Sequence, residues 1–300
     1  MRVAIAIVQL AILSLGPQLD GAISSQVRLR VAIVGFKFST ENGKPIQLEN
    51  ALMEALRRDQ RISVIDDTLV RPAVSGIGYG GSINMSKDEA RKLGAAIGCD
   101  FFIVGKTEAL SRSEHEKESH EEAYAAVMIV DGRSGVLQAF DFVSSKAASR
   151  ESALANVVKN LNERTQSYVD HMVNVKQAAS DTRLQVSSNT EQRNRELIED
   201  IPPEGSRRSV GFTPPEFLNR VRPEYPAQAD LADITATVEA MVVFSSDGQV
   251  GNIEITRWAG FGLEESSERA IRQLKFKPAM RDGRPINVRA LIQYNFRRTK

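Results

Sequence analysis

Histidine and cysteine are scarce in this chain: three His and a single Cys, Cys99, in 300 residues. One cysteine excludes an intramolecular disulfide framework and a Cys-rich metal site, and leaves a buried free thiol as the simplest role for Cys99. No G-x-S-x-G elbow accompanies the few histidines, so no nucleophile–base pair is legible, and the sequence offers no support for catalysis. An excess of charge of one sign is also missing. With 39 Lys+Arg against 38 Asp+Glu the formal charge is +1, which argues against nucleic acid as a partner because phosphate-backbone binding draws on a concentrated basic excess. Long apolar runs are absent beyond Val3 to Gly16, and that stretch, interrupted by Gln9 and Ser14, is shorter than the roughly 20 residues that span a bilayer.

What is present at the N-terminus is Arg2, the apolar run, Pro17, and then the small residues Gly21, Ala22, Ser24 and Ser25. This is the layout of a secretory signal peptide over residues 1–24, with Ala22-Ile23-Ser24 as a cleavage signal. The alternative is an uncleaved anchor. With 42% apolar and 26% charged residues, 300 residues suffice for two packed domains. We place them at 26–172 and 212–300. Between them, residues 173–211 are rich in Gln, Ser, Asn, Arg and Glu and poor in aromatics, a composition that suits a flexible polar linker, helical at its start.

In the first domain, Arg28 to Phe36 reads as a strand, half exposed and then fully buried. Leu48, Leu52, Ala55 and Leu56 mark an amphipathic helix, and Arg61 to Asp66 a short second strand. A Gly-rich loop is expected next. Ser86-Lys87-Asp88-Glu89 opens a helix as a capping box, Phe101 to Gly105 is a buried strand, and two further strands flank the turn Asp131 to Gly135. Leu154, Val157, Val158, Leu161, Tyr168 and Met172 trace one face of a long helix. The fold class is α+β, here a mixed sheet covered by helices. The segments Arg30 to Phe36, Ala90 to Gly105 and Val130 to Gly135 are similar to TolB N-terminal and CsgG-like periplasmic domains over residues 28–170. That resemblance implies an envelope assembly or interaction fold.

The second domain is a smaller β-β-α-β unit. Val238, Ala240, Val242 and Phe244 alternate along one strand, Ser246-Asp247-Gly248 turns it into another over Val250 to Thr256, and Leu263, Ala270, Ile271 and Leu274 recur at helical spacing. The last strand places Ile286, Val288, Ala290, Ile292, Tyr294 and Phe296 on one face and Asn287, Arg289, Leu291, Gln293, Asn295 and Arg297 on the other. Pro223, Tyr225 and Pro226, then Asp247 and Gly248, then Phe276, Pro278 and Ala279, then Gly283 and Pro285 stand in four ordered motifs that resemble the TonB C-terminal domain over residues 212–298. There are departures: Arg257-Trp258-Ala259-Gly260 stands where the family has a Ser-Ser-Gly stretch, Glu264 where it has Asp, and Ser266 and Ser267 where it has Ala.

The resemblance implies a non-enzymatic, exported adaptor in the periplasm or envelope of a Gram-negative-type bacterium. Its last strand would capture a peptide of an outer-membrane receptor, or of another envelope protein, by strand addition in support of transport. Rival readings are an inner-membrane-anchored transducer coupled to a proton motor complex, a periplasmic ligand-binding protein, and a homodimer self-paired through the last strand. No cofactor or metal is expected. Gly76-Ile77-Gly78-Tyr79-Gly80-Gly81 matches G-x-G-x-x-G but lies too far from a strand end for a dinucleotide turn. His115 and His120 among Glu114, Glu116, Glu118, Glu121 and Glu122 lack zinc spacing and read as a charged hairpin tip. Asp66 with Asp67, and Asp131 with Asp141, read as turn residues.

Overall fold

The computed structural model describes residues 28–38, 45–114, 118–186 and 198–298. The expected leader, the His115 end of the hairpin and the side chain of His120 lie outside the described residues. No helix among the described residues is long and apolar enough to cross a membrane.

The first unit runs β1 (Leu29–Phe38), α1 (Pro45–Arg57), β2 (Ile62–Val64), α2 (Asp67–Gly76), β3 (Met85–Ser86), α3 (Lys87–Ile97), β4 (Phe101–Glu114), β5 (Glu118–Asp131), β6 (Leu137–Ala147) and α4 (Arg150–Val186). Its sheet has the order β2-β1-β4-β5-β6, parallel across β2-β1-β4 and antiparallel from β4 to β6. Val31, Ala32 and Ile33 are buried in succession along β1 because both faces are covered. Leu29, Val31 and Ile33 pack with Leu52 and Leu56 of α1 and Val157, Leu161 and Met172 of α4. Ala32 joins the opposite layer with Leu93 and Ile97 of α3. The capping box of α3 is present, with Ser86 and Glu89 exchanging side-chain and backbone bonds.

The Gly-rich region differs from the expected loop, because α2 occupies its first half. Asp66 caps α2 by accepting from the Thr68 N–H at 2.9 Å, Asp67 pairs with Arg71 one turn on, and Pro72 sits inside the helix. Glycine then ends it, with Gly78 and Gly81 at positive φ. Asp131 folds its own turn by accepting from the N–H groups of Arg133 and Ser134 at 2.8 and 2.7 Å. Asp141 is elsewhere engaged, with Arg164 and the Tyr168 hydroxyl.

The second unit comprises β7 (Ile198–Asp200), a 3-10 turn (Arg207–Ser209), β8 (Phe212–Thr213), β9 (Glu216–Phe217), α5 (Ala227–Leu231), β10 (Ala236–Phe244), β11 (Val250–Trp258), α6 (Leu263–Arg272), β12 (Phe276–Lys277), β13 (Ala279–Arg281) and β14 (Arg284–Phe296). Its sheet runs β3-β11-β10-β14-β13-β8, with β7 also paired to β14. Ala240, Val242, Phe244 and Val288 bury one face against Ile271 of α6.

The expected linker, read as helical at its start, differs from the structure at its C-terminal end. Helix α4 continues to Val186, and residues 198–213 belong to the second unit, where β7 pairs in parallel with Asn287 to Arg289. The two units are moreover packed on one another. Strand β3, from the first unit, adds to β11 through Ser86–Arg257 and Met85–Trp258 pairs, and one apolar cluster joins Leu93, Phe102 and Met128 to Trp258, Phe261 and Phe296.

Candidate functional site

Strand β14 is paired along most of one edge and along part of the other. Toward β10 it pairs from Val288 through Phe296. On the opposite edge β13 takes Arg284 to Ile286 and β7 takes Asn287 to Arg289. Pro202 and Pro203 follow β7 and lack the N–H a ladder requires, which stops that pairing. Among the described residues no strand pairs with the outer edge from Ala290 to Phe296.

Which groups point to that edge follows from a neighbour. Thr237 donates its N–H to Asn84 Oδ1 at 3.0 Å and accepts from Asn84 Nδ2 at 2.8 Å, so its main chain faces away from its β14 partner, Asn295. The Thr237–Asn295 pair is therefore the non-hydrogen-bonded kind, and alternation makes Glu239–Gln293 and Met241–Leu291 the same. The N–H and C=O groups of Leu291, Gln293 and Asn295 point outward to the open edge.

Of the residues expected to face a partner, Leu291 is 52% exposed, and Gln293, Asn295 and Arg297 are exposed as well. Gln293 and Asn295 are joined by a 3.3 Å side-chain bond, and Thr237 donates to Asn295 at 2.8 Å. Two residues are placed otherwise. Asn287 is buried, 9% exposed, with Oδ1 accepting from the Ser246 N–H at 2.7 Å, because the strand end is tucked under the β10–β11 turn. Arg289 lies beside β7 and pairs with Asp200 at 2.9 Å.

The motif residues build the scaffold under this strand. The Tyr225 hydroxyl sits 2.6 Å from the carbonyl of Ile234 and 3.1 Å from that of Ala229, and Pro226 starts α5 after Pro223. Asp247 accepts from the Gln249 N–H at 3.0 Å while Gly248, at φ 83°, completes the β10–β11 turn. Phe276 packs edge-on to Phe244 at 4.9 Å, Pro278 separates β12 from β13, and Ala279 is buried. Gly283, at φ 78°, turns β13 into β14, and Pro285 pairs with Met280.

Of the departures from the motif set, Arg257, Trp258 and Gly260 hold the two units together, while Glu264, Ser266 and Ser267 bond within the second unit. The Trp258 indole N–H donates to the Gly135 carbonyl at 3.1 Å, and Arg257 pairs with Glu89 at 3.1 Å. Gly260, at φ 74°, lies under the first unit so closely that a Cβ would stand 2.5 Å from the Phe140 ring. Phe261 packs against Phe140 and Phe142 at 5.1 and 5.9 Å. Glu264 closes this corner: its carboxylate accepts from the N–H groups of Ala259 and Gly260 at 2.5 and 3.0 Å, and burial pushes its pKa up to about 7. Ser266 donates to the carbonyl of Glu224, and Ser267 to that of Leu263. Sequence reasoning singled out these positions without seeing what they contact. Burial raises the Cys99 thiol to about 12, as suits an inert thiol.

Comparison with known proteins adds the following. Residues 221–297 match the family model described as Gram-negative bacterial TonB protein C-terminal. No curated protein matches the chain. Among solved structures, the hypothetical protein CT253 from Chlamydia trachomatis is 11% identical with a TM-score of 0.33, over 46% of this chain and 98% of that one. The Pseudomonas aeruginosa TonB C-terminal domain is 17% identical with a TM-score of 0.27, over 34% of this chain and 96% of its own. Lipoprotein GNA1162 from Neisseria meningitidis is 14% identical with a TM-score of 0.31, over 45% and 99%. The matched stretch, residues 221–297, contains the four ordered motifs from Pro223 to Pro285, and is similar to that family over this part of the chain.

Proposed function

We propose that the chain is a non-enzymatic, TonB-like envelope adaptor whose β14 edge captures an extended peptide of an outer-membrane receptor by strand addition, in support of transport. The observation that carries this reading is the outward set of main-chain groups on Leu291, Gln293 and Asn295, which no strand uses among the described residues. Main-chain bonds supply affinity in this mode and side chains adjust selectivity. Beside the edge, exposed Leu291 offers an apolar contact, and Gln293, Asn295 and Arg297 offer polar ones. β7 already fills the neighbouring stretch, so an incoming peptide either follows on from Asp200 or displaces it.

The test is Gln293→Pro against Gln293→Ala, with a labelled synthetic peptide spanning the N-terminal box of an outer-membrane transporter. Proline removes an N–H that faces the edge and spares the β10 ladder. Binding by the folded proline variant should fall about tenfold or more, the equivalent of one to two main-chain bonds, while the alanine variant stays near wild type. A folded proline variant that binds as tightly as wild type rules out this edge as the docking site. The homodimer through the last strand is the alternative occupant of this edge and would show as a change of mass in solution on the same substitution, whereas the motor complex belongs to the rival reading of a membrane-anchored transducer.

A further inference from the structure

A cleft of about 770 Å³ opens where the chain enters β1, lined by no residue of β14, and its lining is strongly basic. Arg28 and Arg30 stand two apart on the entering chain and so share a face. Arg91 joins them from α3, Arg133 from the β5–β6 turn, and Lys176 from α4. These five cations come from four separate elements, and Asp100 is the one carboxylate in the lining. Asp100 bonds Lys176 at 2.5 Å, lies 3.5 Å from Arg133, and accepts from the Arg30 N–H at 3.0 Å. Arg91 pairs with Asp88 at 2.9 Å. Among the described residues no carboxylate pairs with the guanidinium groups of Arg28 and Arg30, so the cleft keeps a net positive charge.

The floor is a close contact of helix α3 with the β5–β6 turn. Gly94, Gly98 and Gly132 line it without side chains, and a Cβ on Gly94 would collide with the Gly132 backbone at 2.2 Å, so helix and turn meet there at the smallest separation glycine allows. Forked guanidinium groups arriving from several directions suit a tetrahedral anion better than a single planar carboxylate, because each can bond two oxygens of the same group. An incoming phosphate would also take over from Asp100 as counter-charge to Lys176 and Arg133.

We propose that this cleft binds a phosphate group, and that the source its position favours is the headgroup of an anionic lipid. The apolar run Val3 to Gly16 ends twelve residues before Arg28. In the uncleaved-anchor form that length of extended chain reaches at most about 40 Å, which keeps the cleft within that distance of the bilayer. Neutralising phosphates with Arg and Lys releases counter-ions, so the interaction weakens as salt rises.

The experiment uses the full chain and its co-sedimentation with vesicles of phosphatidylglycerol in phosphatidylcholine, compared with phosphatidylcholine alone. The double variant Arg28→Gln/Arg30→Gln is set against Arg220→Gln/Arg222→Gln, which removes the same charge from exposed sites in the other unit. The proposal expects the first pair to weaken binding to the anionic vesicles at least about tenfold and the second to leave it within about twofold. Arg91→Gln, on the exposed face of α3, provides a milder variant with an expected loss of about threefold should the double variant misfold. A separate arm titrates inorganic phosphate and glycerol phosphate by calorimetry. Saturable binding there that Arg28→Gln/Arg30→Gln abolishes, without vesicle binding, keeps the phosphate site and moves its source to a soluble ligand. Absence of binding in both arms, or equal loss in the two double variants, overturns the proposal.

Discussion

Replacing Gly260 by valine tests the packing of the two units while keeping Trp258, the chain's one tryptophan, as reporter. Two costs follow from the structure. Gly260 has φ 74°, a left-handed conformation that costs a non-glycine, β-branched residue about 1–2 kcal/mol. Its Cβ would stand 2.5 and 2.7 Å from Phe140 ring carbons and 2.9 Å from the Met128 methyl, an overpacking worth about 1–3 kcal/mol. The combined penalty of about 2–5 kcal/mol falls on the interface, since Phe140 and Met128 belong to the first unit and Gly260 to the second. Each unit keeps its own second layer, so the expected product is two folded units with a loosened junction. Urea unfolding followed by circular dichroism and by tryptophan emission reads this. Wild type should give one coincident transition with a buried, blue-shifted indole. The variant should show red-shifted emission at low urea, a tryptophan-detected transition shifted by about 1–2 M at typical slopes, and native far-ultraviolet ellipticity. A variant with the wild-type emission maximum and midpoint refutes the packing argument.

Three further outcomes follow from the same structure. Glu264, with a folded pKa of about 7 against an ordinary 4.5, binds more protons folded than unfolded between those values, so its contribution declines as pH rises from about 4.5 through 7. Glu264→Gln should remove up to about 3 kcal/mol of that pH dependence, read by denaturation at pH 5 and pH 8, and an unchanged slope would contradict the buried-carboxyl reading. Cys99, 6% exposed and with its thiol raised to about 12, should resist iodoacetamide at pH 8 in the folded protein and react once urea unfolds it; fast labelling of the folded chain would count against its burial. A protease site inserted after Val186 should, once cut, leave two fragments that co-elute in gel filtration, held by the Trp258 cluster and the β3–β11 pairing; separation into independent peaks would restore a tethered, two-body organisation.

The periodic elements were legible because each carries its own signal. Alternation from Ile286 to Phe296 set the faces of β14, the Ser86 to Glu89 box set the start of α3, and Asp-Gly marked the β10–β11 turn. Helix α2 was hidden by Pro72 and the glycines after it, although Asp66 followed by Thr68 is a capping signal that precedes the proline. The open edge of β14 was legible as a possibility of the strand, but which residues present their N–H groups was not, since that depends on Asn84, far away in the chain. β7 escaped notice because three residues carry no periodicity and its partner is distant in sequence. The same holds for Asn287, whose polar side chain suited the solvent face until the Ser246 N–H claimed it. The substitutions at Arg257 to Gly260 and at Glu264 stood out as departures, yet their purpose appears only beside Phe140 and Gly135.

The placement of β7 also bears on how the protein behaves when crowded. An unprotected edge strand is a template on which further copies stack, and stable stacks are built from uninterrupted segments of about six residues or more. β13 and β7 together occupy β14 from Arg284 to Arg289, which leaves the seven residues Ala290 to Phe296, a stretch interrupted by the polar side chains of Gln293 and Asn295. Deleting Ile198 to Asp200 would lengthen the open edge from seven residues to ten, with the main chain of Asn287 and Arg289 added to it, and so raise the tendency to aggregate. β7 thus shortens the edge that the TonB-like region would otherwise leave open.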